Sequence, residues 1–467
     1  MTSRPSARNL ALLTAAGLLT ASASAQAGGF ASARFGGERG NPTEANPFAL
    51  YYNPGGLGMT EGTRLTLDGN FVFRDASYER PLAAGVDANS AEGQANFGEG
   101  TLSNFLIAPA LAVSSDLGGS PVTLGLGFFV PFGGSAVWDT ADPVEGAAGA
   151  VDGVQRWYTI DGTIQSLAFS LGGAYLIEPA NLSIGLATNL YLSKVETIRA
   201  RNSDGSDTID PIEGRSFISV ESTDLGLGLG LLWEPIKDSL WVGLSYQSQP
   251  GFGTMTLKGN LKNLLATAEP SDTPVELTQS LPDIVRLGAR YRISPELEAR
   301  LFADFTRWST FENQCILNEG DGPDAETICA TEANGAYTNA DRPNNAVQVL
   351  KREWEDTFGA RLGLSYWPME ALEIQVGGGF DSSAIPDQFL EPALFDMNKT
   401  FATLGLRYDF TDSLGMTVAA TNVFYEERDT TGVATSEGLE NPSTQPSSAG
   451  IYNQSIFLLN ANLDMAF

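Results

Sequence analysis

The sequence predicts an all-β fold, a 14-stranded antiparallel transmembrane β-barrel with an N-terminal plug. Three observations lead there. Polar and apolar residues alternate with period two through most of the chain, as in strands with one greasy and one wet face. Short turns such as DLGG, ISPE and DFTDS alternate with long polar loops, the pattern of barrels whose two rims differ. Beyond the N-terminus no run reaches the roughly 18 consecutive apolar residues that a membrane-spanning helix needs.

Taken in order, the chain opens with a leader. Residues 1–27 carry Arg4 and Arg8, an apolar run from Leu10 to Leu19, and small residues at Ala23, Ala25 and Ala27. This is the pattern of a secretory signal peptide, with an apolar part too short to cross a bilayer. The expected organisation is a signal peptide over 1–27, a plug over 28–60 and a barrel over 61–467, placed in the bacterial outer membrane. No Pro/Ser-rich linker or shift in composition divides the chain, so one continuous architecture is expected. Composition alone leaves large soluble β-sandwich arrays open.

Charge and residue usage narrow the function. The formal net charge of -29 opposes nucleic acid, whose phosphates carry the same sign. The acids cluster in segments such as RNSDGSDTIDPIEG and NEGDGPDAET, which read as solvated loops; cation binding is the alternative, but EF-hand spacing is absent. The chain has no histidine. That removes Ser-His-Asp and Cys-His catalysis and every His-ligated metal site, so neither an enzyme nor a cofactor is expected. Cys315 and Cys329 fall in one acidic loop, where an oxidising compartment favours a disulfide over two free thiols.

Strands are expected near 62–74, 101–114, 120–131, 156–177, 182–200, 216–234, 239–257, 283–293, 296–308, 354–367, 371–381, 399–410, 413–426 and 453–467. In TRLTLDGNFVFR, for example, Leu65, Leu67, Phe71 and Phe73 share one face, and Thr66, Asp68, Asn70 and Arg74 the other. The longest loop is expected from Phe311 to Glu353. Closure removes unpaired edges, which lipid does not tolerate. The last strand, FLLNANLDMAF, alternates up to Phe467, whose ring is expected in the aromatic belt at the inner interface. A terminal aromatic strand resembles the signal that such barrels present to the barrel assembly machinery.

Before the first strand, GGFASARFGGERGNPTEANPFALYYNPGGLGM has little alternation and many glycines and prolines. It is either a disordered arm or a plug folded back into the lumen. In the third strand, PVTLGLGFFVPFGG carries Gly125 and Gly127, and Phe128 and Phe129 break the alternation. Such a stretch marks a bulge or lost ladder bonds, with an ordinary bent strand at a barrel corner as the alternative.

AGGF at the mature start, ALYYNPGGL, LGLGFFVPFG, IQSLAFSLGGAYLIEPANLSIGL, WVGLSYQSQPGFGTMTLKG, LPDIVRLGARYRI, ADFTRWSTF, WEDTFGARLGLSYWP and GGGFDSSAIPD occur in that order. Together they resemble the FadL-type outer-membrane transporters of long-chain fatty acids and other hydrophobic compounds, over nearly the whole mature chain. The resemblance implies an N-terminal hatch, capture among the outer loops, and sideways exit into outer-membrane lipid through the wall near the third strand. It implies ligand-binding roles for Phe30, Arg199 and Lys351, and a lateral gate around Gly125, Gly127, Phe128 and Phe129. The chain reads Asn53, Pro54, Gly55 where that family has Asn-Pro-Ala, so the hatch turn is expected to persist but to loosen. The expected function is passive uptake of long-chain fatty acids. Uptake of uncharged, aromatic hydrocarbons and a structural or adhesion barrel with acidic outer loops are the competing readings.

Overall fold

The computed structural model describes residues 34–202, 205–209, 213–265, 268–320, 346–433 and 446–467. The expected signal peptide, Phe30 and Cys329 lie outside them. In chain order the first strands are β1 (Thr63–Arg80), β2 (Gly98–Ser115), β3 (Val122–Val137), β4 (Asp161–Ile177), β5 (Leu182–Arg201), β6 (Gly214–Ile236) and β7 (Leu240–Gln247). Then come β8 (Thr254–Leu264), β9 (Ser271–Ser280), β10 (Ile284–Ser294), β11 (Leu297–Thr306), β12 (Asn313–Asn318) and β13 (Ala346–Lys351). The remainder are β14 (Thr357–Met369), β15 (Leu372–Asp381), β16 (Lys399–Thr411), β17 (Leu414–Tyr425), β18 (Arg428–Asp429) and β19 (Ile451–Ala466).

Fourteen of these form a closed antiparallel barrel: β1–β7, β10, β11, β14–β17 and β19. β1 closes it by pairing with β19 from Arg64↔Ala466 to Glu79↔Ile451. Alternation fits each wall strand to lipid on one face and lumen on the other. On β6, Leu225, Leu227, Leu229, Leu231 and Trp233 are exposed outward while Gly226, Gly228 and Gly230 are buried inward. A lipid-facing apolar band needs this arrangement.

Two expectations are corrected. The strand predicted over 239–257 is two strands, because a turn at Pro250–Phe252, with Gly251 at φ 69° and Phe252 at φ 57°, ends β7 and redirects the chain into β8. The stretch predicted as one loop from Phe311 to Glu353 contains β12 and β13. With β8 and β9 they extend the upper half of β6 above the barrel wall, in the order β6–β8–β9–β12–β13. Their sequences hid them because they do not face lipid. β9 buries Val275 through Gln279 consecutively, so no period of two survives.

The N-terminal segment, residues 34–60, is almost wholly buried against inward-facing wall positions. Its short helix Ala49–Tyr52 and the following 3-10 turn Pro54–Met59 bring backbone onto β5, β6 and β7, where the wall carries no side chains. A β-carbon at Gly185 would lie 2.1 Å from the Pro54 carbonyl carbon, one at Gly230 2.0 Å from Asn53 Oδ1, and one at Gly243 2.0 Å from the Pro42 carbonyl oxygen. Gly185 and Gly230 are register partners, so the bare patch crosses strands. Phe35, Phe48, Leu50, Tyr51 and Leu57 then pack with small wall residues such as Ala110, Ala168 and Ala187.

The opposite wall is charged. Arg361 reaches Asp381 at 3.4 Å and Asp304 at 4.0 Å, and Arg300 lies 3.8 Å from both Glu298 and Glu373. Glu44 of the N-terminal segment faces this side. Burial pushes its carboxyl up, but Arg290, Arg39 and Arg300 outweigh that and hold it below the usual carboxylate range.

Overpacking a close contact costs about 1–3 kcal/mol. Gly230→Val should therefore leave a heat-modifiable barrel on gels yet displace the Asn53 turn. A cysteine at buried Ala49 should then react with a maleimide roughly tenfold faster than in the Gly230 parent.

Candidate ligand cavity and wall discontinuity

Above the N-terminal segment lies a cavity of about 130 Å³. Ile164 of β4, Val195 of β5, Ile218 of β6, Leu261 of β8, Leu277 of β9 and Ile316 of β12 make its lining mostly apolar. The rim strands that the sequence concealed thus supply much of it. Three arginines also line it: Arg74, Arg199 and Arg352.

Their partners differ. Arg352 is buried and neutralised, its NH1 2.6 Å from Glu391 Oε1 while Nε and NH2 donate to Gln314 Oε1. Arg199 donates from NH1 to the Trp157 carbonyl at 3.3 Å and from NH2 to Gln348 Oε1 at 3.0 Å. Arg74 donates from Nε to Gln454 Oε1 and from NH1 to the Ser135 carbonyl, each at 2.7 Å, and stacks over the Phe395 ring. Among the described residues neither Arg199 nor Arg74 pairs with a carboxylate. A buried cation held only by neutral acceptors keeps an unmet preference for an anion.

Of the expected ligand residues, Arg199 lies on the cavity. Lys351 does not: its Nζ is 2.7 Å from Glu353 Oε1, and its neighbours Leu350 and Arg352 line the cavity instead. Strand parity in a short rim strand is a weak guide because no lipid face anchors it. Sequence reasoning missed Arg74, Arg352, Gln348 and Glu391. Alternation places Arg74 on the inner face of β1, but nothing in the sequence distinguishes an arginine held by neutral acceptors from one paired with an acid. Cys315 is buried in β12, while its expected partner Cys329 lies outside the described residues.

Of the four residues expected at the wall, Gly125, Gly127 and Phe128 lie within the β2–β3 ladder and Phe129 lies just past its end. β2 pairs with β1 along its whole length, from Thr63↔Ser115 to Arg80↔Gly98, but with β3 only from Leu111↔Phe128 to Ser115↔Leu124. The β3–β4 ladder shifts register between Phe129 and Phe132. Phe129, on the inward face with Gly125 and Gly127, is buried, with its ring 5.5 Å from Phe35, 5.8 Å from Phe48 and 5.4 Å from Tyr51. Phe128 instead packs on Phe169 at 5.1 Å. A β-carbon at Gly125 or Gly127 would crowd Leu57 or Leu50 and Phe129.

The turn residues are held tightly. Asn53 Nδ2 donates to the carbonyls of Pro42 at 2.7 Å and Leu231 at 2.8 Å, and its Oδ1 accepts from the Gly55 amide. At Gly55 a β-carbon would lie 2.8 Å from the Leu232 amide nitrogen, so the missing methyl is a packing requirement here.

A closed fourteen-stranded barrel with an apolar outer band and an apolar inner cavity defines an outer-membrane transport protein. The model for the outer membrane protein transport protein family (OMPP1/FadL/TodX) matches residues 11–464. The chain belongs to this family, whose members are outer-membrane transporters of hydrophobic compounds. The long-chain fatty acid transport protein of Escherichia coli is 22% identical over 285 residues, spanning 55% of this chain and 58% of that protein. Among solved structures, a FadL homologue of Pseudomonas aeruginosa superposes with a TM-score of 0.73 at 14% identity, covering 94% of this chain and 100% of that one. The Ralstonia pickettii toluene transporter TbuX has a TM-score of 0.62 at 14% identity, with 94% and 98% covered.

Removing one partner of a buried ion pair costs about 3–5 kcal/mol, whereas replacing both by apolar groups is close to neutral. Arg352→Leu should therefore lower the unfolding midpoint in urea, and Arg352→Leu/Glu391→Leu should recover most of the loss.

Proposed function

We propose that this protein passively takes up long-chain fatty acids, holding the carboxylate at Arg199 and releasing the acyl chain sideways into outer-membrane lipid between β2 and β3. The observation that carries the reading is Arg199, a buried cation on an apolar cavity without an acidic partner among the described residues. Each methylene of the acyl chain that the cavity buries contributes about 0.8 kcal/mol before association costs, so even partial burial of the chain favours binding. The headgroup contact then selects acids over hydrocarbons of equal length. The N-terminal segment acts as the hatch that bars axial passage, which leaves the discontinuity beside Phe128 as the exit.

Uptake of uncharged hydrocarbons is the second reading, favoured by the mostly apolar lining and by the named cargo of the toluene transporter. Labelled oleate and toluene, offered to cells lacking their own transporters, separate the two. Loss of a hydrogen bond to a charged group costs about 1.5–3 kcal/mol, so Arg199→Ala should cut oleate uptake roughly tenfold or more while toluene entry persists. Lys351→Ala should change neither. Unaltered oleate uptake in correctly inserted Arg199→Ala would rule out carboxylate capture there, and toluene entry without oleate entry would favour the second reading. Deletion of residues 28–58 should leave a folded barrel with raised single-channel conductance in planar bilayers; unchanged conductance would dismiss the hatch.

A further inference from the structure

Arg74 touches both the cavity and the interrupted wall. Its guanidinium lines the cavity, and its NH1 donates to the Ser135 carbonyl of β3 at 2.7 Å. Ser135 lies past the register shift at Phe129–Phe132, in the part of β3 that no longer pairs with β2. The same carbonyl accepts from Asn104 Nδ2 of β2 at 3.2 Å. Higher still, the Asp139 amide donates to the Thr101 carbonyl. Between Leu111↔Phe128 and that upper contact the β2–β3 register does not continue, and side chains of β1 and β2 reach β3 at the Ser135 carbonyl. Asn104 supplies a neutral bond, and Arg74 supplies a charged one that a ligand can take away.

We propose that Arg74 is the specificity-determining latch of the wall: the anionic headgroup held at Arg199 also draws the Arg74 guanidinium from the Ser135 carbonyl and frees the upper half of β3. This rests on the sideways exit proposed above. The driving force is differential. A guanidinium–carboxylate bond is roughly twice as strong as one to a neutral carbonyl and is often bidentate. A ligand shifts an equilibrium only by its unequal interaction with the two states, and an uncharged hydrocarbon makes no such bond. Gln454 and the Phe395 ring retain the stem and face of Arg74 while its outer nitrogens exchange partners. Anionic amphiphiles should therefore separate β3 from β2, whereas hydrocarbons of similar length fill the cavity without doing so.

The test uses spin labels on the full chain in lipid nanodiscs, attached at the outward-facing positions Phe105→Cys of β2 and Val137→Cys of β3. Labels at Leu404→Cys and Val418→Cys, on β16 and β17, serve as a control for the fold. Oleate should raise the ratio of separated to closed β2–β3 populations roughly tenfold in the parent, and hexadecane should leave it unchanged. Arg74→Gln should show the raised ratio without ligand and no further response to oleate, with the control pair unaltered; Arg74→Lys should fall between. An unseparated β2–β3 pair in Arg74→Gln overturns the latch whatever the cargo, and so does equal separation by oleate and hexadecane. Failure of labelled oleate to bind the parent would instead overturn the fatty-acid reading, and the ligand-free Arg74→Gln measurement still decides the latch.

Discussion

The lumen is organised by one close approach, that of Pro42 and the Asn53–Gly55 turn to the inner wall of β5, β6 and β7. Main chain meets main chain there, so any β-carbon at Gly185, Gly230 or Gly243 would occupy space already taken. Asn53 turns that proximity into specificity, since one amide group bonds Pro42 of its own segment and Leu231 of the wall. The same segment seats Phe35, Phe48 and Tyr51 around Phe129.

That packing has a cost on the opposite side of the barrel. An inserted segment that is apolar toward β3–β6 turns its polar groups toward β10, β11, β14 and β15, where carboxylates and guanidiniums alternate across neighbouring strands. Buried charges persist only when paired and hydrogen-bonded, and Arg300 and Arg361 each have two acidic neighbours. The cavity above is different in kind. Arg352 is neutralised by Glu391, whereas among the described residues Arg74 and Arg199 lean on carbonyl and amide oxygens, so this apolar cavity retains unshared positive charge.

The wall discontinuity ties these features together. β3 leaves β2 at the point where Phe129 is drawn inward to the aromatic cluster of the N-terminal segment. The packing that seats the segment is therefore adjacent to the place where the ladder ends.

The sequence by itself determined the barrel, its strand number and the identity of most wall strands. Lipid on one face and lumen on the other impose a period of two that each strand must carry locally. It also drew attention to the stretch of β3 from Gly125 to Phe129, beside which the β2–β3 ladder ends. Tertiary structure alone decided the rim strands β8, β9, β12 and β13, whose faces meet protein or water and so carry no binary pattern. It alone set Arg352 rather than Lys351 on the cavity. It alone showed which arginines lack acidic partners among the described residues: Arg74 and its Ser135 contact are 61 residues apart in the chain, and they meet only once β1, β2 and β3 lie side by side.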